Sequence, residues 1–288
     1  MSPLTVQQTF GLACQHHQAG RLAEAEALYR QILAEQPDNT HALRNLGVLA
    51  HQVGRDGAAA DLLRRVIALR PHVAEVHNTL GSALKGIGQL DEAIAAYRDA
   101  ISLKPDYFQA YNNLAVALAD KQQFDAAIAA LGKAIALQPH FPPAHCNLGN
   151  VLKEQGQLDA SIAAYGQAIA LDPNYAQAYA GLGIALFEKE HWDDSIDAYR
   201  RAIALQPAYA DAHYNLGNAL AARGSLDDAT AAYRCAIDAN PRLAAACNNL
   251  GIVLCKQMKF DETIAEYSRA IAMQPNFAEA HNNLGNAL

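Results

Sequence analysis

The chain has few of the features that mark a membrane, secreted or disulfide-stabilised protein. Its 288 residues contain no apolar run near the ~20 residues that a membrane-spanning helix needs. The start, MSPLTVQQTF, lacks both the basic and the apolar segment of a signal peptide. Five cysteines without close spacing do not form a disulfide framework. We therefore expect a cytoplasmic protein that does not bind a membrane.

Basic residues are also scarce, since 22 lysines and arginines are outnumbered by 29 aspartates and glutamates. The resulting net charge of −7 is the reverse of the basic surface that nucleic-acid binders present. No Ser–His–Asp arrangement, phosphate-binding loop or paired-carboxylate motif stands out in the sequence. We predict that this chain is not an enzyme, that it binds no nucleic acid and that it needs no cofactor.

What the sequence does contain is a repeat, built on a composition that is 51% hydrophobic. Eight of the eleven prolines follow one another at intervals of 34 residues. They are Pro37, Pro71, Pro105, Pro139, Pro173, Pro207, Pro241 and Pro275. A fixed period of this length is typical of solenoids. With proline at position 32, the repeats are 6–39, 40–73, 74–107, 108–141, 142–175, 176–209, 210–243 and 244–277, with a partial ninth at 278–288.

Each repeat predicts two helices joined by a short turn. Position 15 is often glycine, as in Gly88 and Gly156, and glycine accepts the left-handed conformation that closes a helix. Position 18 is aspartate in six repeats, for example Asp91 and Asp159, and we expect these carboxylates to cap the second helix. Proline at position 32 cannot donate a backbone hydrogen bond, so the second helix must end before it.

Side-chain size repeats with the same period. Leucine recurs at position 7, glycine or alanine at position 8, a small residue at position 20 and tyrosine or leucine at position 24. One helix pair cannot bury its apolar face alone, so the pairs must stack. This pattern resembles the tetratricopeptide repeat over residues 6–288. The resemblance implies an all-α, right-handed superhelical solenoid of helix-turn-helix repeats, forming one domain over 1–288, that binds other proteins.

Asparagine recurs on the side of the first helix that the core does not use. At ~100° per residue, positions 4, 7, 8 and 11 face the core, whereas positions 2, 6, 9 and 13 point away, toward the expected concave groove. Asparagine is a poor helix former, so its repeated use here favours a binding role. The candidate partner-binding residues are Asn45, Asn113, Asn147, Asn215, Asn249 and Asn283 at position 6, with Asn150 and Asn218 at position 9.

The chemistry of the amide indicates how a partner would be held. One acceptor and two donors can pair with the C=O and N–H of a passing backbone, whatever its side chains. Helices ~8–10 Å apart and a rise of ~3.3 Å per residue place one contact at about every third residue. We therefore predict an extended peptide or protein segment as the partner. Two other interpretations stay open, a merely tolerated polar residue and a contact to the neighbouring repeat.

The NLG phrase with these asparagines also resembles the superhelical arm of O-linked N-acetylglucosamine transferases and related bacterial proteins. That resemblance implies that substrate polypeptides lie along the position-6 asparagines and that a glycosyltransferase domain follows the arm. Thr79 and Gly181 interrupt the series. The last residues, HNNLGNAL, start a repeat with ordinary core residues, so we expect Leu288 to be a truncation point. The remaining hypothesis is a self-assembling solenoid whose exposed end is covered by another copy.

Two other kinds of site are not favoured. A clamp for a C-terminal carboxylate needs lysine or arginine along the groove, where position 5 offers only Arg44. Metal ligands must converge within ~2.1 Å of one ion, and histidines one or two repeats apart cannot do so. We expect the position-4 histidines to pack at the edge of the core instead. They are His77, His145, His213 and His281.

Overall fold

The computed structural model describes residues 5–288, which form helices and no β-strand. The first helices of the repeats are α1 (Val6–Gln18), α3 (Thr40–Gln52), α5 (Ala74–Gly86), α7 (Phe108–Asp120), α9 (Pro142–Glu154), α11 (Ala176–Glu188), α13 (Ala210–Arg223), α15 (Ala244–Lys256) and α17 (Ala278–Ala287). The second helices are α2 (Leu22–Glu35), α4 (Asp56–Leu69), α6 (Leu90–Leu103), α8 (Phe124–Leu137), α10 (Leu158–Leu171), α12 (Trp192–Leu205), α14 (Leu226–Ala239) and α16 (Phe260–Met273). Within this described range, no helix combines the length and the apolar character needed to cross a membrane.

The chain divides into two compact units, Met1–Pro139 and His140–Leu288. Inside each unit, every helix packs against the helices next to it in the chain, and from α3 onward each first helix also contacts the following first helix of its unit. These are the nearest-neighbour contacts of a solenoid. The prediction of an all-α solenoid of helix-turn-helix repeats is therefore confirmed.

The predicted packing positions form the core. Position 20 is fully buried in all eight repeats within 6–277, and position 24 is at most 3% exposed. The large residue at position 24 lies over position 8 of its own repeat. A Cβ added to Gly149 would lie only 2.7 Å from Cε1 of Tyr165. Two repeats have alanine at position 8. Ala115 of repeat 4 occurs with the smaller Leu131, Ala13 of repeat 1 occurs with Tyr29, and all four side chains are buried.

The turn between the two helices is left-handed in each of the eight repeats that span 6–277. Five of these residues are glycine, as predicted, with φ between 73° and 89°. The other three carry side chains, although left-handed backbone is unfavourable for them. They are Gln122 (φ 58°), Glu190 (φ 61°) and Met258 (φ 63°). Each second helix ends at position 30, two residues before the proline, so the predicted proline stop is confirmed.

The prediction that the position-18 aspartates cap the second helices is wrong. These helices begin at position 17, and in the described second helices no N-cap side chain makes a capping hydrogen bond. The aspartate lies inside the first turn, where its charge suits the helix dipole. Its carboxylate bonds position 14 of the next repeat, as when Arg223 Nη1 donates to Asp193 Oδ1 at 2.8 Å. The same contact joins Lys121 to Asp91, Lys189 to Asp159 and Gln257 to Asp227.

Candidate functional site

In each unit, positions 2, 6, 9 and 13 of the first helices form a surface that we call the A face. Position 13 is exposed in all eight repeats within 6–277, whereas the core positions 3 and 10 are buried in all but the first of them. The asparagines at position 6 are half-buried. Their side chains are less exposed than a helical wheel predicts, because several of them contact the preceding repeat.

Hydrogen bonds show how the position-6 asparagines contact the preceding repeat. Asn113 Nδ2 donates to Asn78 Oδ1 at 3.1 Å. Asn283 Nδ2 donates to Asn248 Oδ1 at 3.0 Å. Both acceptors stand at position 5 of the repeat before. The interpretation of these asparagines as contacts between neighbouring repeats therefore describes part of what they do. Asn147, on α9, is half-buried like the others.

Asn249 is the most extensively bonded member of this series. Its Nδ2 donates to Tyr214 Oη at 3.2 Å and to Asn218 Oδ1 at 3.0 Å, both in the preceding repeat. Its Oδ1 accepts from Asn248 Nδ2 at 3.3 Å. Both amide hydrogens of Asn249 are therefore engaged inside the protein, and only a second lone pair of its oxygen is left for a partner.

The position-9 asparagines accept a hydrogen bond from the buried tyrosine at position 24 of their own repeat. Tyr165 Oη donates to Asn150 Oδ1 at 2.6 Å, and Tyr233 Oη donates to Asn218 Oδ1 at 2.8 Å. A buried hydroxyl without a partner is destabilising, so these asparagines support the fold as well as lining the A face. The helical wheel did not predict this role.

A signal for this contact was present in the sequence. Four of the six tyrosines at position 24 occur with Cys, Ser or Asn at position 9, fifteen residues earlier; the other two occur with isoleucine. Tyr97 donates to Ser82 Oγ at 3.2 Å, and burial raises the pKa of this tyrosine. Where position 24 is leucine, as in Leu63, position 9 is valine, as in Val48. Position 9 therefore has a side chain that can bond the hydroxyl in four of the six tyrosine repeats and in neither leucine repeat.

The two breaks in the asparagine series have separate structural reasons. Thr79 Oγ1 donates to the carbonyl of Glu75 at 2.8 Å, so this hydroxyl bonds its own helix. A Cβ at Gly181 would lie 2.4 Å from Cε1 and 2.8 Å from Oη of Tyr165, the tyrosine of the preceding repeat. The tyrosine ring therefore leaves room for no side chain at this position.

Asn215 differs from the bonded asparagines described above. Across residues 5–288, the structure gives its side chain no hydrogen bond. The residues at positions 5 and 9 of the preceding repeat are Ala180 and Ile184, whose side chains have no polar atom. Asn249, by contrast, finds a tyrosine and an asparagine at the same two positions.

Two open pockets lie at corresponding places between consecutive repeats. Each combines positions 9, 12, 13 and 24 of one repeat with position 6 of the next. The pocket in the second unit measures about 350 Å³, and the one in the first unit about 230 Å³. The larger pocket is lined by Phe187, Asn218, Ala221, Asn249, Ile252 and Lys256, among others. The smaller pocket is lined by Cys14, His17, Gln18, Tyr29 and Asn45.

Asn45 is bonded inside the smaller pocket. Its Nδ2 lies 3.3 Å from Tyr29 Oη and 3.4 Å from Cys14 Sγ, the position-24 and position-9 residues of the preceding repeat. Three of the eight predicted residues thus line pockets on the A face, namely Asn45, Asn218 and Asn249. The larger pocket combines apolar walls with amide groups and one ammonium group. Such a pocket can contact both an apolar side chain and the polar backbone of a peptide residue.

Histidines at position 4 hold the loops between repeats. His77 Nε2 lies 2.8 Å from the carbonyl oxygen of Pro71, six residues earlier, and His213 and His281 make the same contact at 2.9 Å. This agrees with the predicted packing at the edge of the core. In the part of the chain that the structure describes, no group of three His, Cys, Asp or Glu side chains could hold a metal ion.

Family comparisons agree with the geometry. A family model described as TPR repeat matches residues 85–122, 117–156, 149–190, 185–224 and 253–288. Two models described as Tetratricopeptide repeat match residues 16–84 and 210–243. The chain therefore belongs to the tetratricopeptide repeat family.

Solved structures share this fold. The APC/C hetero-tetramer Cut9–Hcn1 matches with a TM-score of 0.71 at 19% identity, over 93% of this chain and 52% of that one. YrrB, described as a TPR protein with an unusual peptide-binding site, matches with 0.55 at 22% identity, over 68% and 100%. MamA matches with 0.51 at 27% identity, over 58% and 97%. The chain thus spans about half the length of the chain in the Cut9–Hcn1 structure. Comparison with curated protein sequences gives no match.

Proposed function

We propose that this chain is a non-catalytic scaffold that binds an extended polypeptide along the A face. The observation that carries the proposal is the larger pocket, where two of the predicted asparagines lie between apolar walls. Tetratricopeptide repeats generally serve as surfaces for protein–protein interaction. The described peptide-binding site of YrrB is consistent with such a use of this fold.

The larger pocket has the chemistry to accept both parts of a peptide residue. Phe187 and Ile252 supply apolar surface for a side chain. Asn218 Oδ1 already accepts from Tyr233 and Asn249, but its amide nitrogen has no bond to any residue of 5–288. The two hydrogens on that nitrogen are free to donate to a peptide carbonyl. We infer that the backbone bonds to this amide while a neighbouring side chain enters the pocket.

Two narrower hypotheses from the sequence stay predictions. In one, the chain is the substrate-docking arm of a larger enzyme, as the resemblance to O-linked N-acetylglucosamine transferases implies. In the other, it assembles with further copies of itself. Peptide binding to the A face is compatible with the first hypothesis and does not depend on the second.

Peptide selection tests the proposal directly. A display library of random peptides of about 12 residues suits the A face, since such a peptide spans about four repeats at ~3.3 Å per residue. Peptides that bind the purified chain would then be measured by titration calorimetry. Failure to select any peptide that binds would count against the proposed function.

Two matched variants locate the binding surface. Ala222→Arg places a long charged side chain at the exposed rim of the larger pocket, and we expect it to weaken binding at least tenfold. Ala163→Arg makes the same change at an exposed position of α10, away from the A face, and should leave binding unchanged. If both variants weaken peptide binding equally, or if neither does, the peptide binds elsewhere on the chain.

A further inference from the structure

We propose that Asn215 binds one peptide unit of the partner's main chain at both its C=O and its N–H, whereas most other position-6 asparagines mainly join neighbouring repeats. This inference rests on the proposed function and adds to it. It names one residue in place of a uniform ladder, and it states which chemical group of the partner that residue recognises.

Two-point binding of a peptide unit requires a free N–H and a free oxygen on the same amide. Asn249 does not meet this requirement, because both of its hydrogens are engaged with Tyr214 and Asn218. Asn113 and Asn283 each have one hydrogen engaged with the preceding repeat. Asn249 would have to give up an internal bond before it could bind a partner at two points. Asn113 and Asn283 each keep one hydrogen free, but the bond to the preceding repeat restricts how their amides can turn toward a partner.

Asn215 keeps its whole amide available. Its side chain has no hydrogen bond among residues 5–288, yet neither of its polar atoms is among the buried atoms that lack a partner. The amide of this half-buried residue therefore reaches solvent. It can donate and accept at the same time without breaking any contact within the protein.

The preceding repeat explains why this amide is free. The partners used by Asn249 stand 35 and 31 residues before it, and the same offsets from Asn215 lead to Ala180 and Ile184. Position 6 of that repeat is Gly181, which lacks a side chain because the Tyr165 ring lies against it. Tyr199, which corresponds to the Tyr29 that bonds Asn45, makes no hydrogen bond to Asn215.

The free amide matches the main chain of an extended segment better than any charged group. A peptide unit offers one C=O and one N–H, and Asn215 can satisfy both through Nδ2 and Oδ1. A carboxylate has only acceptors, and an ammonium group has only donors, so each would leave half of the amide unpaired. The occupant we propose is therefore polypeptide backbone, whatever side chains flank it.

Peptides selected on the unaltered chain provide the probe for this inference. We expect Asn215→Ala to weaken their binding about tenfold, since two hydrogen bonds of ordinary net strength are lost. The thermal unfolding midpoint should stay the same or rise slightly, because the side chain has no partner in the free protein and alanine is the better helix former. Asn249→Ala is the matched control, and it should lower the midpoint because three internal bonds disappear.

Methylating single backbone nitrogens of the peptide shows whether main chain is bound. Methylation at one backbone nitrogen should weaken binding of the peptide to the unaltered chain. The same methylation should cause no further loss of binding to the Asn215→Ala variant, because this variant already lacks the hydrogen bond to that nitrogen. Equal losses in both proteins would overturn the inference. If Ala222→Arg blocks binding but Asn215→Ala does not, the inference fails and the proposed function stands. If neither variant affects binding, or if no peptide is selected, both fail.

Discussion

Replacing Gly149 with alanine should destabilise the protein, although alanine is the better helix former. The new Cβ would lie 2.7, 2.8 and 2.9 Å from three ring carbons of Tyr165. The ring cannot easily move away. It is completely buried, its hydroxyl is bonded to Asn150 at 2.6 Å, and it also touches the backbone of Gly181. Alanine does occur at position 8 elsewhere, beside Leu131 in repeat 4 and together with Tyr29 in repeat 1, so the cost at Gly149 rests on the fixed position of the Tyr165 ring.

The sign of the effect follows from two opposing contributions. Glycine to alanine inside a helix gains about 1 kcal/mol of unfolding free energy. Overpacking a core costs typically about 1–3 kcal/mol, and contacts below 3.0 Å to a fixed ring place this case near the upper value. We expect a net loss of about 2 kcal/mol. Gly166→Ala, in α10, is the matched control, because its Cβ would meet no atom within 4 Å. It should stabilise by about 1 kcal/mol.

Guanidinium unfolding followed by circular dichroism gives the two midpoints. Long repeat arrays need not unfold in one step, so amide hydrogen exchange in α9 and α10 should be measured alongside. The two substitutions should shift both readouts in opposite directions. In a Tyr165→Leu background, Gly149→Ala should no longer destabilise. Shifts in the same direction, or a clash that persists beside leucine, would refute the reasoning.

Three further changes test other contacts. Met258→Gly should raise the thermal midpoint. The left-handed backbone costs a residue with a side chain about 1–2 kcal/mol, which exceeds the about 0.5–1 kcal/mol that glycine's extra chain entropy costs, and the methionine side chain is 71% exposed and so loses little packing. A lower midpoint would contradict this. Asn218→Ala should reduce the unfolding free energy by about 1–3 kcal/mol, because buried Tyr233 loses its acceptor, and exchange in α13 and α14 should accelerate. Arg55→Gln should make the free energy of unfolding fall less steeply as the pH is lowered. The hydrogen bond from Arg55 lowers the pKa of Glu26 below 4.5, so this contribution is present above that pH and is lost as pH falls through the lowered pKa. Urea midpoints at several acidic pH values would check this, and parallel curves for the two proteins would exclude it.

Local features of the fold could be predicted because their causes lie within a few residues. The proline at position 32 stops a helix through its own ring and missing N–H, and glycine at position 15 turns the chain through its own backbone. Gln122, Glu190 and Met258 carry no such signal. They adopt the left-handed conformation because the two helices on either side must pack together as they do in the other repeats.

Contacts between repeats were harder to predict, because their partners lie about 30 residues apart. An aspartate near a helix start fits a cap by its chemistry, and only the position of the next repeat shows that Asp193 faces Arg223 instead. A helical wheel shows that position 6 points away from its own helix pair. It does not contain the preceding repeat, so the bonds of Asn113 and Asn249 could not be seen. For the same reason, the sequence could not show that Asn215 has no hydrogen-bond partner in the preceding repeat.

The pairing of positions 8 and 24 also bears on how such repeats diverge. To exchange Ala115 and Leu131 for the glycine–tyrosine pair, two substitutions are needed. Both possible intermediates already occur in this chain, because repeat 1 combines Ala13 with Tyr29 and repeat 2 combines Gly47 with Leu63. The position-24 side chain is fully buried in both of these repeats. Duplicated repeats can therefore change one member of the pair at a time, provided that the helices around it adjust to the new volume.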